Sequence, residues 1–186
     1  AWVVRLYNLR GRLIWTRVHE APNRRKAMAT AVGSSTCPGD AGWRKWVVVA
    51  GGVEEQDSGQ MCPLVLTYDS SGKTLKTYRI TPAGGRDGWI AAILDDGHVM
   101  SGYVTIVGSY RPVDPREGLN WLEGSCGCTM QYSSSVGSTP SVPLGYVGPG
   151  DGDDGATGID QYDRYVVCGY ESREDLAEGK NAVVRR

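Results

Sequence analysis

The sequence predicts an all-β protein, and three observations lead to that prediction. A strand–turn–strand pattern recurs about every sixty residues, since Val3 to Tyr7 with the turn Asn8 to Gly11 returns as Leu64 to Tyr68 with the turn Asp69 to Gly72. Polar and apolar residues alternate in Thr74 to Ile80, and this period of two is typical of half-exposed strands. The helical period of about 3.6 residues is confined to short segments. We therefore expect about three repeats of about sixty residues, each with four short antiparallel strands.

The first predicted unit covers residues 2–62. Its strands are Val3 to Tyr7, Arg12 to Val18, Ala27 to Val32 and Trp46 to Ala50. The Asn that opens the first turn and the Gly that ends it supply the side-chain cap and the positive φ that a tight hairpin needs. Arg24 to Val32 and Ser172 to Gly179 also fit one or two helical turns, so short helices are an alternative at these two places.

The second predicted unit covers residues 63–127, and the third covers residues 128–181. The strands expected in them are Leu64 to Tyr68, Lys73 to Ile80, Gly88 to Leu94, His98 to Tyr103, Cys128 to Tyr132, Ala156 to Ile159 and Tyr165 to Tyr170. A glycine ends the last strand of each unit, as Gly51, Gly102 and Gly169, and suits a close approach between backbones. Residues 182–186 nearly repeat Trp2 to Leu6 and begin a further unit.

Four strands per unit, joined by tight glycine turns, are typical of a β-propeller blade. Two segments carry a more specific likeness: Tyr165 to Tyr170 followed by Ala182 to Arg185, and Asp95 to Tyr103. They resemble the blade repeat of a group of bacterial propeller proteins. The resemblance implies that residues 1–186 are a single domain that forms a segment of a propeller. Because closed propellers carry about four to eight blades, a closed three-fold domain, like a trefoil or a β-prism, is the alternative.

Composition excludes some classes of partner. The 186 residues include 20 basic and 21 acidic side chains, so no overall field attracts nucleic acid or anionic lipid. No apolar run approaches the length of about 20 residues that a membrane-spanning helix needs. We therefore expect neither a nucleic-acid partner nor a membrane span.

The cysteines bear on the cellular compartment. There are five of them, namely Cys37, Cys62, Cys126, Cys128 and Cys168. Cys126 and Cys128 lack the two-residue spacer of zinc and thioredoxin-like sites. We interpret the set as buried thiols together with one or two disulfides, which would favour an extracellular or periplasmic location.

A glycine-rich acidic segment is the candidate metal site. Its carboxylates are Asp151, Asp153, Asp154 and Asp160. Calcium takes about six to eight oxygen ligands, and a glycine-rich loop lets carboxylates and backbone carbonyls converge. The segment lacks the bidentate Glu of an EF-hand, so the alternative to a calcium loop is a solvated acidic turn. Calcium is the one cofactor that the sequence suggests.

Catalysis has weaker support in the sequence. Asp95, Asp96 and His98 place two carboxylates and an imidazole together, which acid–base chemistry uses. Asp-Gly is also a common hairpin turn, and this explains the same residues. No nucleophile elbow, P-loop or dinucleotide fingerprint is present. An enzyme that acts on polysaccharide, as a hydrolase or lyase, is therefore the alternative to a protein without catalytic activity.

Aromatic residues in or beside the loops are the main functional lead. They are Trp43, Trp89, Tyr103, Tyr110 and Trp121, with the three tryptophans as the expected anchors. Aromatic rings on an open face grip sugars and proteins at low entropy cost, although packing between blades is the other role they take. We predict a non-catalytic binding, structural or assembly module that contacts protein subunits or carbohydrate, with Glu54 to Gln60 and Arg111 to Asn120 as contact loops in a larger complex.

Overall fold

The computed structural model describes residues 1–21, 23, 25–39, 42–55, 58–80, 85–95, 103–112, 120–127, 155–161, 165–172 and 180–185. Within these residues the chain forms twelve β-strands and no α-helix, which confirms the predicted all-β class. The first segment for which helical turns were an alternative is a strand from Ala27 onward. Residues 173–179, where the second alternative falls, lie outside the described part of the chain.

The strands are longer than the sequence indicated in several places. They are β1 (Trp2–Tyr7), β2 (Leu13–His19), β3 (Ala27–Gly39), β4 (Gly42–Glu54), β5 (Met61–Tyr68), β6 (Thr74–Arg79), β7 (Gly85–Asp95), β8 (Tyr103–Pro112), β9 (Asn120–Gly127), β10 (Gly155–Gln161), β11 (Tyr165–Ser172) and β12 (Lys180–Arg185). Strand β8 begins at Tyr103, where a strand was predicted to end, and β9 was not predicted. The expected strand Cys128 to Tyr132 lies outside the described residues.

The described strands form four antiparallel sheets, in which strands adjacent in the chain are adjacent in the sheet. Sheet 1 contains β1 and β2, sheet 2 contains β3 to β6, sheet 3 contains β7 to β9, and sheet 4 contains β10 to β12. Sheet 2 therefore joins two strands of the first predicted unit to two strands of the second. No closed barrel or closed propeller is formed by the part of the chain that the structure describes.

Two hairpin turns have the same construction, as their sequences predicted. In the first, Asn8 N–H donates to the Arg12 carbonyl at 2.9 Å and Gly11 N–H donates to the Asn8 carbonyl at 2.9 Å. The second repeats this pattern, with Asp69 bonded to Lys73 and Gly72 bonded to Asp69. The closing glycines have φ of 75° and 80°, a left-handed conformation that glycine adopts without steric cost.

Glycines lie opposite three β-bulges, and at two of them they mark a close backbone contact. A Cβ atom at Gly51 would collide with the carbonyl of Met28, opposite the bulge between Ala29 and Ala31. A Cβ atom at Gly108 would likewise collide with the carbonyl of Trp89. Gly169 pairs with Ala156 beside the bulge in β10. The predicted close backbone approach is therefore confirmed for Gly51, although β4 does not end there and continues to Glu54. On β8 it belongs to Gly108, while Gly102, which was expected to have it, lies outside the described residues.

The sheets stack face to face in chain order, with one hydrophobic cluster in each gap. Between sheets 1 and 2 lie Trp2, Val4, Trp15, Val49, Val53, Leu64, Leu66 and Tyr68. Between sheets 2 and 3 lie Val48, Ala50, Val65, Tyr78, Ile80, Ile90, Val104, Ile106 and Tyr110. Between sheets 3 and 4 lie Val107, Ala156 and Val167, with Ala92 and Ile159 beside them.

Strand β5 shows how this stacking uses the sequence. Leu64 and Leu66 face sheet 1, whereas Val65 between them faces sheet 3. Both faces of the strand are covered, so every residue from Cys62 to Tyr68 is buried. A strand covered on both faces is expected to be a continuous apolar run, and the sequence of β5 has this character.

Candidate functional site

Among the predicted contact residues, the side chains of Trp89 and Tyr110 are described, and of these two Trp89 lines a cavity. It lies on β7, is half-buried and lines the opening described below. Tyr110, on the neighbouring strand β8, is only 9% exposed and packs in the cluster between sheets 2 and 3. Tyr110 therefore has the packing role that was the alternative to surface contact, because β8 is buried on both faces.

The other three predicted aromatic residues lie on separate strands. Trp43 is near the start of β4, Tyr103 is the first residue of β8, and Trp121 is the second residue of β9. These positions belong to two different sheets, so the strand register does not gather the five residues into one patch.

The Trp89 cavity is an open depression of about 550 Å³ where the beginnings of several strands meet. Its lining residues are Ala1, Arg25, Lys26, Ala27, Met28, Met61 and Trp89. They come from the first residues of β3 and β5, the segment before β3, the start of the chain and the first half of β7. A volume of a few hundred Å³ is typical of ligand pockets.

An ion pair orders the basic side of the cavity. The Arg25 guanidinium donates to the Glu54 carboxylate at 3.0 Å, and the backbone N–H of Lys26 donates to the same carboxylate at 3.2 Å. The Glu54 N–H in turn donates to the Lys26 carbonyl at 2.8 Å. The hydrogen bond from Arg25, followed by that from Lys26, lowers the pKa of Glu54. Glu54 therefore positions Arg25 and the exposed Lys26 at the rim.

Gly52 shapes the floor of the cavity. A Cβ atom at this position would lie 2.6 Å from the Met61 Cε and 3.4 Å from the Trp89 Cβ. The missing side chain therefore leaves room for the Met61 methyl group and the Trp89 Cβ beside the backbone of β4. The Asp87 carboxylate accepts a hydrogen bond of 2.6 Å from the Met61 N–H and ties the start of β5 to β7.

The lining residues define what this cavity can hold. Two methionines, two alanines and an indole present an apolar surface, and the polar side chains among them are the cations Arg25 and Lys26. Methionine adapts its shape to irregular apolar partners. The seven lining side chains offer hydrogen-bond donors but no carboxylate, amide or hydroxyl acceptor. The cavity therefore suits an anionic group beside an apolar group better than it suits the hydroxyl pattern of a neutral sugar.

Sequence reasoning found Trp89 but missed the rest of the cavity. Met28, Met61, Arg25 and Glu54 carry no motif, and they meet only because β3, β5 and β7 begin at the same edge. Gly52, which follows the predicted strand Trp46 to Ala50 and lies within β4, is a local signal that a side chain from elsewhere approaches this backbone.

The predicted calcium and catalytic residues fall mainly outside the described chain. Asp151, Asp153 and Asp154 are outside it, and Asp160 is an exposed residue of β10. Asp95 is the last residue of β7, whereas Asp96 and His98 are outside the described residues. The residues that are described contain no group of three or more His, Cys, Asp or Glu side chains placed to hold a metal. Calcium and acid–base chemistry at these positions stay predictions.

Two cysteine thiols are described, and both are free. Cys62 is buried and Cys168 is exposed. Burial, and secondarily the nearby Glu55 carboxylate, raise the pKa of the Cys62 thiol, and this setting disfavours the reactive thiolate. A membrane-spanning helix is not found in the described residues, because none of them forms a helix of sufficient length and apolarity.

Comparison of the chain with protein-family models, with curated proteins and with solved structures finds no match.

Proposed function

We propose that the chain is a non-catalytic binding and assembly module whose sheets are arranged like propeller blades. In this proposal the Trp89 cavity receives an acidic segment of a partner protein that carries an apolar side chain. The observation that carries the proposal is the cavity itself, in which a half-buried indole and two thioethers lie beside Arg25, whose side chain is held by Glu54, and the exposed Lys26.

Contacts between the first strands of successive sheets support the blade-like arrangement. Strands β3, β7 and β10 are each at the edge of a sheet, and each contacts the next. The Thr30 hydroxyl of β3 donates to the Ile90 carbonyl of β7. The first strands of propeller blades meet in this way around a central channel. The repeat length predicted from the sequence is consistent with this arrangement.

The charges of the rim support an acidic partner. Arg25 is held by Glu54 at 3.0 Å, while the Lys26 ammonium is exposed. An acidic residue of the partner would extend the same ion-pair network, and the apolar floor would take a neighbouring side chain. Charge complementarity of this kind mainly raises the rate and specificity of association, and the buried apolar anchor supplies most of the affinity.

Peptide binding tests the proposal. The probe is acetyl-Glu-Glu-Leu-Glu-Glu-amide, titrated against the protein labelled with ¹⁵N and observed by NMR. We expect Lys26→Glu to weaken binding by about tenfold and Trp89→Ala to weaken it by at least as much. The matched control is Lys45→Glu, which reverses the charge of another exposed lysine on β4 and should leave binding unchanged.

Three results would contradict the proposal. The first is equal binding of acetyl-Lys-Lys-Leu-Lys-Lys-amide, the second is an equal loss in Lys45→Glu, and the third is no perturbation of residues 25–28, 61 and 89. A uronic-acid oligosaccharide that shifts the same resonances more strongly than the acidic peptide would replace the protein partner by carbohydrate.

A further inference from the structure

Sheet 1 repeats the last two strands of sheet 2 position by position. The turn of β1–β2 and the turn of β5–β6 have the same hydrogen bonds, and both are preceded by a register shift, between Leu6 and Tyr7 and between Thr67 and Tyr68. Aligning the turns makes Val3, Arg5 and Tyr7 the counterparts of Leu64, Leu66 and Tyr68.

In sheet 2 this face is covered by sheet 1. Trp15 Nε1–H donates to the Ser70 carbonyl at 3.1 Å, and Arg17 donates to the Gly72 carbonyl at 2.5 Å. Thus the second strand of one hairpin covers the turn of the next hairpin, and Leu64 is 1% exposed beneath it.

In sheet 1 the corresponding face is open. Val3 is 54% exposed and Val18, which pairs with it across the hairpin, is 55% exposed. Gly72 lies against Trp15, whereas a Cβ atom at its counterpart Gly11 would meet nothing within 4 Å. Among the described residues no sheet covers the outer face of sheet 1, where the apolar side chains of Val3, Tyr7, Ile14 and Val18 lie beside those of Arg5 and Thr16.

At the opposite end of the stack, sheet 4 exposes a face of the complementary kind. Cys168 of β11 directly precedes the bulge glycine Gly169, as Ala50 of β4 directly precedes Gly51. Ala50 is fully buried against sheet 3. Val184 pairs with Cys168 as Val65 pairs with Ala50. Val65 is fully buried, whereas Val184 is 70% exposed. Within the part of the chain that the structure describes, no sheet covers the outer face of sheet 4, formed by Cys168, Ala182 and Val184.

We propose that the outer face of sheet 4 binds the outer face of sheet 1 of a second copy of this chain. All three gaps in the stack join the same two kinds of face. One is the face that carries Ala50 or its counterpart, and the other is the face of the neighbouring sheet that carries Leu64 or its counterpart. The two outer faces are one of each kind, so a second copy continues an interface that the chain already uses three times. The contact is heterologous, and it produces a ring or an open series of copies.

The test is the oligomeric state of the intact chain, measured by sedimentation velocity over a concentration series. We expect the wild type to associate, and we expect Val18→Lys and Val184→Lys each to weaken association by about tenfold or more. Mixing these two variants should yield a one-to-one dimer, because each retains the face that the other has lost. Val32→Lys is the matched control, since Val32 is 70% exposed on β3, outside both end sheets.

Thiol labelling gives a second measurement that does not depend on a variant. The exposed Cys168 lies in the proposed contact, so its alkylation rate, followed by peptide mass spectrometry, should fall as the protein concentration rises.

A wild type that is monomeric throughout, or a mixture of the two variants that stays monomeric, would overturn the proposal. So would association that depends on Val18 but not on Val184, because that pattern indicates two hairpins bound face to face. These readouts are independent of the Trp89 cavity.

Discussion

The β1–β2 and β5–β6 hairpins are built alike but differ in what covers them. Each has a turn that begins with Asn or Asp, ends with a left-handed glycine and has the same hydrogen bonds. Both faces of β5 are buried, whereas the outer face of β1 is exposed at Val3 and Tyr7. Local sequence therefore determines the hairpin, while the position in the stack determines its burial.

Each of the two hairpins also places a basic side chain over an aromatic ring, but the order of the two residues along the strand is reversed. In the first, Arg17 lies 5.8 Å from the centroid of Trp15, and in the second, Lys76 lies 5.0 Å from that of Tyr78. The registers make Trp15 the counterpart of Lys76 and Arg17 the counterpart of Tyr78. In both hairpins one aromatic and one basic residue thus lie two positions apart on the second strand, in opposite order.

The largest difference between the hairpins is expected from truncation of their equivalent apolar residues. Leu64→Ala removes a side chain that is 1% exposed between sheets, and it should lower the free energy of unfolding by about 2–5 kcal/mol. Val3→Ala, at the equivalent position of sheet 1, should change it by no more than about 0.5 kcal/mol. Urea denaturation of dilute protein measures both, and equal losses would show that the outer face of sheet 1 is covered.

The elements that the sequence predicted are those that depend on neighbouring residues. The turns at Asn8 and Asp69 follow from Asx and glycine chemistry, and the strand Thr74–Arg79 follows from its alternation. Residues up to about four positions apart fix these features. The predicted likeness of the segments Val3 to Gly11 and Leu64 to Gly72 is confirmed at the level of the two hairpins.

The features that were not predicted depend on distant residues. The Trp89 cavity joins Arg25, Met61 and Trp89, and the ion pair at its rim joins residues 29 positions apart. Tyr110 could not be distinguished from a surface aromatic, because its burial depends on the approach of sheet 2. Neither the sheet stacking nor the strand β9 has a local sequence signal of comparable strength.

Alanine at the two turn glycines should give an intermediate difference. Gly11 and Gly72 have positive φ, so each substitution carries a backbone strain of about 1–2 kcal/mol. At Gly72 the added Cβ would also lie 2.8 Å from Trp15, and this overpacking should cost about 1–3 kcal/mol more. Thermal or urea unfolding of the two variants isolates the packing contribution. Equal destabilisation would mean that Trp15 moves away from the turn without cost.

The smallest expected difference between the hairpins is their response to acid, because Asp69 titrates and its counterpart Asn8 does not. Burial acts to raise the pKa of Asp69, but hydrogen bonds from Ser71 and Lys73 outweigh it and lower the pKa below the usual 3.8. A lowered pKa means that the stabilisation is present above pH 3.8 and is lost as the pH falls through the lower folded-state value. The contribution should be below about 1 kcal/mol, since the carboxylate is largely solvated. Comparing the urea stability of the wild type and Asp69→Asn from neutral to acidic pH measures it.

Asn8→Asp is the matched reverse variant, which should introduce the same acid dependence into the first hairpin. Parallel pH profiles for all three proteins would show that the turn carboxylate has no effect on stability.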